Sequence, residues 1–319
     1  MIKQIERMIS SSRYREALVK AKEVLKKGGE REEALKLLVW IYRMTGNPGK
    51  ALFYCRHLPE NAEKFCEEAI LYRMMCDFGR ARKKIKKALR IFKKNNDREG
   101  VSFALWTLGG IHRYGGNPKM GLAYFQKALT LTKGGSARAY VLCGIGGASR
   151  LLGDYGRSLK SYGAANKYFK SAKDRFGLAY SYCGLGSAHR MLKRFKTSEE
   201  FYAKALKIYK KIGDLWNMAY SMWGLAQTLW FLGDKKEALR INRQSKKIFR
   251  KFSDPRGVFY CGLQNANFLR MDSFFKKAAR ALLRDASIPA GLSLPYEKGL
   301  LMEQEKLIKS KISRVLLIA

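Results

Sequence analysis

The feature of this sequence that most constrains its fold is an internal repeat. Three segments align at intervals of 40 residues, and each begins at a tyrosine and continues through small and apolar residues. These segments start at Tyr140, Tyr180 and Tyr220, and a related copy starts 37 residues earlier at Phe103. A period of this length predicts stacked structural units that bury their apolar faces only against one another.

Each copy divides into two helical stretches joined by a short turn. Small residues recur at one position of each stretch, where a larger side chain would push the two helices apart. They are Gly109, Gly146, Gly186 and Ala226 in the first helix, and Gly121, Ser158, Ser198 and Ala238 in the second. An aromatic residue follows the second small residue by four positions, on the same helix face, at Phe125, Tyr162 and Tyr202. Glycine then ends the first helix in a left-handed turn at Gly116, Gly153 and Gly233.

This pattern resembles the tetratricopeptide repeat, a helix–turn–helix unit. The residues that follow the family signature most closely are Ile145, Gly146, Gly153, Asp154, Tyr155, Ser158, Tyr162 and Ala165. The 40-residue period is similar to that of the Leu-Gly-Asn subclass and of many bacterial tetratricopeptide-repeat proteins. The paired asparagines of that subclass are absent, and Gly144, Gly184 and Gly224 stand in their place. The ligand of the subclass is therefore not carried over to this chain.

The resemblance implies an all-α fold, a right-handed α-solenoid of about seven to eight helix pairs with a C-terminal capping helix. Weaker copies extend the repeat outward, and Tyr14 begins the second helix of a first repeat. We expect less regular repeats over 1–97, regular repeats of about 40 residues over 98–286, and a cap or tail over 287–319 with a helix from Pro295.

The charge balance favours an anionic partner. The chain has 64 Lys and Arg residues against 26 Asp and Glu residues, a net charge of +38. A field of this sign attracts acidic protein segments, nucleic acid and anionic membrane surfaces. A generally basic source proteome would give the same charge without a function, and the sequence leaves both explanations open.

The family resemblance implies that the first helices line a concave groove. Residues four positions after the small residue of each first helix are expected to point into it; we call them the inner row: Arg43, Arg73, Arg113, Arg150, Arg190, Trp230 and Arg270. Six of the seven are arginine, whose planar fork of donors suits carboxylates and phosphates. Packed helices would space these groups by roughly 10 Å. Alternatively, each arginine pairs with an acidic residue or covers an aromatic ring.

Aromatic residues accompany the inner row on the same helices. The tyrosine row of Tyr140, Tyr180 and Tyr220, together with Trp106 and Trp223, supplies contact area next to the arginines. Arginine with interleaved aromatics is typical of peptide hot spots and of grooves that stack nucleic-acid bases. The alternative for the tyrosines is ordinary packing between helices. Trp230 interrupts the arginines and is the best single candidate for a hot spot.

The chain carries no recognisable catalytic or metal-binding pattern. His57, His112 and His189 are its only histidines, and no two of its six cysteines form a C-x-x-C pair. The sequence also lacks a phosphate-binding P-loop, a signal peptide and a membrane-spanning segment. We therefore expect a cytoplasmic protein that is not an enzyme, with no cofactor and no bound metal.

These observations predict a non-catalytic scaffold or adaptor that holds an extended, acidic protein segment in its groove. The first alternative is binding of RNA or single-stranded nucleic acid through the basic surface. A second is self-assembly through end-to-end stacking of solenoids. The oligomeric state stays open.

Overall fold

The structure is a computed structural model that describes residues 1–10, 13–286 and 295–318. In these ranges the secondary structure consists of 17 α-helices without a strand. The helices are α1 Ile2–Ser10, α2 Tyr14–Lys27, α3 Arg31–Met44, α4 Pro48–Cys55, α5 Ala62–Met74, α6 Phe78–Lys94, α7 Arg98–Tyr114, α8 Pro118–Leu131, α9 Gly135–Leu151, α10 Tyr155–Ser171, α11 Arg175–Met191, α12 Phe195–Ile212, α13 Leu215–Leu232, α14 Lys235–Lys251, α15 Pro255–Met271, α16 Phe275–Asp285 and α17 Pro295–Ile318.

Consecutive helices pack as eight pairs, from α1 with α2 to α15 with α16, and each pair packs on the next. Helix α17 contacts the last pair as the expected cap. The predictions of an α-solenoid, of its repeat number and of a helix from Pro295 are confirmed. Residues 287–294 and 319 of the expected tail lie outside the described residues. The suggested division at residue 97 falls between α6 and α7, inside the continuous stack.

Aspartates cap four of the eight first helices, namely α7, α11, α13 and α15. The side chain of Asp97 accepts a hydrogen bond from the backbone N–H of Gly100, and Asp174 accepts one from Gly177. Such caps satisfy one of the four N–H groups that a helix start leaves unpaired. The predicted left-handed glycines are confirmed at the ends of first helices, with φ angles of 88° at Gly116, 83° at Gly153 and 95° at Gly233.

Aromatic side chains of the second helices hold adjacent repeats together. Each inserts between a glycine of its own pair and a glycine of the next first helix. Phe125 is buried between Gly109 and Gly144, where added Cβ atoms would lie 2.7 and 2.6 Å from its ring. Tyr162 lies in the same way between Gly146 and Gly184. The glycines that replace the asparagines of the subclass are therefore sockets for aromatic rings.

The socket at Gly184 can be tested by adding a methyl group. In Gly184→Ala the new Cβ would overlap the buried ring of Tyr162. Overpacking costs about 1–3 kcal/mol, which exceeds the gain of up to about 1 kcal/mol in helix propensity. We expect urea denaturation to show a net loss of about 1–2 kcal/mol. In the matched control Gly163→Ala, no heavy atom lies within 4 Å of the new methyl group, so stability should rise slightly. A shift of the same sign in both variants would refute the socket.

The superhelix curves so far that its first repeats contact its last ones. The hydroxyl of Tyr14 donates to the carbonyl oxygen of Ile212, 198 residues away, at 3.3 Å. At a second point, a Cβ added to Gly46 would lie 2.5 Å from the ring of Phe252. The stack is therefore a closed turn, and the first helices surround an interior space.

Candidate functional site

The interior space is a cavity of about 560 Å³. Its size falls within the range of about 300–1,000 Å³ that is usual for ligand sites. First helices from both halves of the chain line it, from α3 to α15. Its charged residues are Arg43, Arg73, Arg113, Arg256, Asp214 and Asp254, and its aromatic residues include Trp40, Phe103, Trp106, Tyr114, Tyr140, Phe176, Tyr180, Trp216 and Tyr220.

The cavity brings together part of the predicted site. The predicted residues in its wall are Arg43, Arg73, Arg113, Trp106, Tyr140, Tyr180 and Tyr220. The predicted residues outside this wall are Arg150, Arg190, Trp223, Trp230 and Arg270. Only the N-terminal half of the inner row therefore reaches the cavity. The opposite wall of the cavity is formed by the first turns of α13 and α15, because the closed turn brings these turns opposite α5 and α7.

The arginines of the cavity differ in their partners. Arg43 lies 3.5 Å from the carboxylate of Glu67, so the pairing alternative holds there. Neither Arg73 nor Arg113 forms an ion pair with any residue in the described part of the chain. Arg73 lies 5.1 Å from the ring centre of Tyr114, and its buried Nε has no hydrogen-bond partner in that part. Arg113 lies 4.5 Å from the same ring centre.

Tyr114 responds to this excess of positive charge. Burial by itself would raise the pKa of its phenol, but the guanidinium groups of Arg113, Arg73 and Arg256 favour the phenolate and lower the pKa to about 8. Burial also lowers the pKa of Arg73, and the positive charge of Arg113 adds to that effect. Around Tyr114, the guanidinium groups of Arg73 and Arg113 thus have no carboxylate partner among the described residues.

The carboxylates of the cavity are already hydrogen-bonded. Asp254 accepts from the indole N–H of Trp216 at 2.8 Å and from the hydroxyl of Tyr220 at 2.9 Å. Asp214 accepts from both the backbone N–H and the side-chain amide of Asn217. Burial raises the pKa of Asp214. In the part of the chain that the structure describes, the arginines of the cavity wall that have no carboxylate partner are Arg73 and Arg113.

Most tyrosines of the row join successive repeats. The hydroxyl of Tyr140 donates to Asp174 at 2.9 Å, as that of Tyr220 does to Asp254. This bonding supports the packing alternative for these two residues. Tyr180 departs from the pattern, because its hydroxyl lies 3.5 Å from Nη2 of Arg113. It is the member of the row that contacts the unpaired arginines.

The predicted tryptophans have different roles. The indole N–H groups of Trp106 and Trp223 donate to the carbonyl oxygens of Tyr140 and Tyr260, both at 3.2 Å, and so join neighbouring first helices. Trp230 is only 6% exposed and stacks on Phe268 at a centroid distance of 4.1 Å. It therefore offers a ligand little surface in this structure, and its role as a hot spot stays a prediction.

The remaining arginines of the inner row are partly buried without acidic partners. Arg150, Arg190 and Arg270 form no ion pair within the described ranges, and the Nε atom of each is buried without a hydrogen-bond partner there. They extend the set of unneutralised cations beyond the cavity wall. Their role in binding stays a prediction.

Sequence reasoning missed several residues of the cavity. Phe176, Trp216 and Arg256 each follow a capping aspartate by two positions and recur at intervals of 40 residues, so the repeat did contain a signal for them. Tyr114 had no such signal. It belongs to the site because the closed turn places Arg256 within 5.3 Å of its ring centre.

No group of three or more His, Cys, Asp or Glu side chains that could hold a metal ion occurs among the described residues. His112 and His189 stack on Tyr124 and Phe201, and burial lowers the pKa of both imidazoles. The six cysteines are free thiols. Of the helices described, none combines the length and apolar character needed to cross a membrane.

Comparison with known proteins agrees with this architecture. The family model described as tetratricopeptide repeat matches residues 135–211 and 177–251, which are the regular central repeats. No curated protein sequence matches the chain significantly. Fold and site define a helical-repeat solenoid with an interior cavity. The family model thus assigns residues 135–251 of the chain to tetratricopeptide repeats, in agreement with the resemblance seen in the sequence.

Solved structures of low sequence identity share the fold. A Rap protein complexed with Competence and Sporulation Factor is 12% identical, with a TM-score of 0.63 over 97% of this chain and 98% of that one. The apo form of RapI is 15% identical, with a TM-score of 0.57 over 93% and 99% of the two chains. A chain of the APC/C hetero-tetramer Cut9–Hcn1 is 14% identical, with a TM-score of 0.64 over 94% of this chain but only 54% of that one.

Proposed function

We propose that this protein is a non-catalytic scaffold that binds an extended, acidic protein segment along its inner surface, with the cavity at the centre of the interface. The observation that carries the proposal is the set of inner-row arginines without carboxylate partners, next to aromatic side chains. A Rap protein with this fold was crystallised with Competence and Sporulation Factor. That complex is consistent with a repeat stack of this size holding a second molecule.

Binding would use a preformed surface. Arginine forks give bidentate hydrogen bonds to carboxylates, and their positive field speeds the encounter with an acidic segment. Aromatic residues supply contact area with little loss of side-chain entropy. Since Arg150 and Arg190 have no acidic partner among the described residues, a ligand carboxylate would replace no ion pair seen there when it binds them.

The double variant Arg150→Glu with Arg190→Glu tests this surface. Each of the two charge reversals should cost at least about 1.4 kcal/mol of binding free energy. Together they should weaken the binding of an acidic protein partner at least about 100-fold. The matched control is Lys83→Glu with Lys86→Glu on the exposed face of α6, which changes net charge equally. Affinity should change at most about threefold in the control, as measured by calorimetry. Full-strength binding to the groove variant would refute the proposal.

The partner itself can be found by affinity capture from source-cell lysate with and without nuclease. Proteins that remain after nuclease treatment, and whose acidic segments bind the purified chain, would support the scaffold. If the captured material disappears with nuclease, nucleic acid becomes the ligand. Binding should then fall steeply with salt and respond to substitutions on both faces of the solenoid.

A further inference from the structure

We propose that Arg73, Arg113 and Tyr114 form a subsite in the cavity that binds one oxyanion, a carboxylate or phosphate group of the ligand. We call it the anion subsite. It deepens the proposed function and rests on it for the larger ligand, but binding of the anion can be measured by itself.

Three guanidinium groups surround one phenol ring. Those of Arg73, Arg113 and Arg256 lie 5.1, 4.5 and 5.3 Å from the ring centre of Tyr114. Only Arg256 has a carboxylate, since its Nε donates to Glu297 at 2.6 Å. The cluster therefore carries two more positive charges than its own acidic partners neutralise among the described residues.

The backbone of neighbouring helices is shaped to receive the two unpaired guanidinium groups. Nη1 of Arg113 lies directly against Gly147 of α9, where any Cβ would overlap it. Nη1 of Arg73 lies 3.2 Å from the position that a Cβ would take at Gly110 of α7. The two guanidinium groups thus occupy recesses that exist because Gly147 and Gly110 have no side chains. Such positioning is what distinguishes a binding site from an incidental surface charge.

An oxyanion is the ligand group that satisfies this arrangement best. Two guanidinium groups near one ring repel each other because they carry like charges at short range. Their remaining N–H donors need acceptors, while the hydroxyl of Tyr180 gives Arg113 only a long contact of 3.5 Å. A carboxylate or phosphate supplies both negative charge and several acceptor oxygens in the geometry that arginine favours.

The test uses Tyr114 as an internal reporter. Its pKa is lowered to about 8 because burial is outweighed by the nearby arginines, so its phenolate should form before that of other tyrosines as the pH rises. An anion at the subsite cancels part of the positive field and should shift this transition upward by about one pH unit or more. The full-length chain would be titrated by ultraviolet difference absorbance with inorganic phosphate and, separately, with an acetylated Asp-Glu dipeptide.

The two probes separate the two possible sources of the anion. If the dipeptide shifts the Tyr114 transition to saturation and phosphate does not, the subsite binds carboxylates. If phosphate does so and the dipeptide does not, the subsite binds phosphate. The early transition should vanish in Tyr114→Phe, and this loss would assign the transition to the phenol of Tyr114. Affinity for the probe, measured by calorimetry because these substitutions also change the pKa of Tyr114, should fall at least tenfold in Arg73→Gln and in Arg113→Gln, but should be unchanged in Lys83→Gln on the outer face of α6. If neither probe shifts the transition in the unmodified chain, the anion subsite is overturned.

A further variant keeps the positive charge of Arg113 but moves its guanidinium group. Gly147→Ala should displace the guanidinium of Arg113 and weaken binding of the anion. Gly163→Ala on α10 should leave this binding unchanged, because no heavy atom lies near its new methyl group. The inference can fail independently of the proposed function. If the anion binds but a protein partner ignores the change of Arg150 and Arg190 to glutamate, the subsite stands and the scaffold proposal falls. If partner binding depends on Arg150 and Arg190 but neither anion shifts the pKa of Tyr114, the scaffold proposal stands and the anion subsite falls.

Discussion

Replacing Phe125 by alanine is expected to lower the free energy of unfolding by about 3–5 kcal/mol, the usual cost of removing a fully buried aromatic ring. Its ring fills the space between Gly109 and Gly144 and is 1% exposed. The two glycines have no side chains that could turn into the vacated space, so on these two sides it would stay unfilled. Urea denaturation followed by circular dichroism would measure the loss.

Phe53→Ala is the control for this substitution. That ring is 58% exposed, so its removal should change stability by no more than about 1 kcal/mol. Equal effects of the two substitutions would show that the aromatic rings between repeats do not hold the stack together. The glycine sockets would then need another explanation.

Removing the carboxylate of Glu297 should cost a similar amount, about 3–5 kcal/mol, because it would leave Arg256 largely buried without its counter-charge. Glu297 is 1% exposed and accepts hydrogen bonds at 2.6 Å from both Arg256 and Tyr260. It also attaches the capping helix α17 to α15. The variant Glu297→Ala should therefore lose stability, and limited proteolysis should release α17 first.

An exposed ion pair provides the comparison. Glu237 contacts Arg240 on the surface of α14, and its replacement by alanine should cost at most about 1 kcal/mol. The double variant Arg256→Met with Glu297→Leu removes both charges and should recover much of the loss. If Glu297→Ala proved as mild as Glu237→Ala, the cap would be held mainly by its apolar contacts, such as those of Ile308.

The solenoid was predictable because its signal repeats. The 40-residue period, the left-handed glycines and the small residues at helix contacts each follow from the interface between neighbouring units. The function of Gly144 and Gly184 was not recognised, since their effect depends on the aromatic ring of the preceding pair. Absence of the expected asparagines pointed to a missing ligand contact, whereas the structure shows a packing contact.

The cavity was less predictable, for a geometrical reason. Which residues of the inner row meet across the interior depends on curvature summed over all repeats, and a small rotation per repeat changes the outcome. Arg73 and Arg113 could be placed on the inner face from one unit. Their meeting with the first turn of α15 could not, because the partners are more than 140 positions apart in the sequence.

The closed turn also constrains the insertion of units between its first two repeats and its sixth and seventh. An open array gains or loses a repeat with little effect on the others, because each contacts only its neighbours. Here Tyr14 must meet Ile212, and Gly46 must lie against Phe252. Duplication of one central unit would move these pairs out of register, open the ring and enlarge its interior. Lengthening by duplication, the ordinary route by which repeat proteins diversify, is therefore obstructed in this molecule by its own circumference.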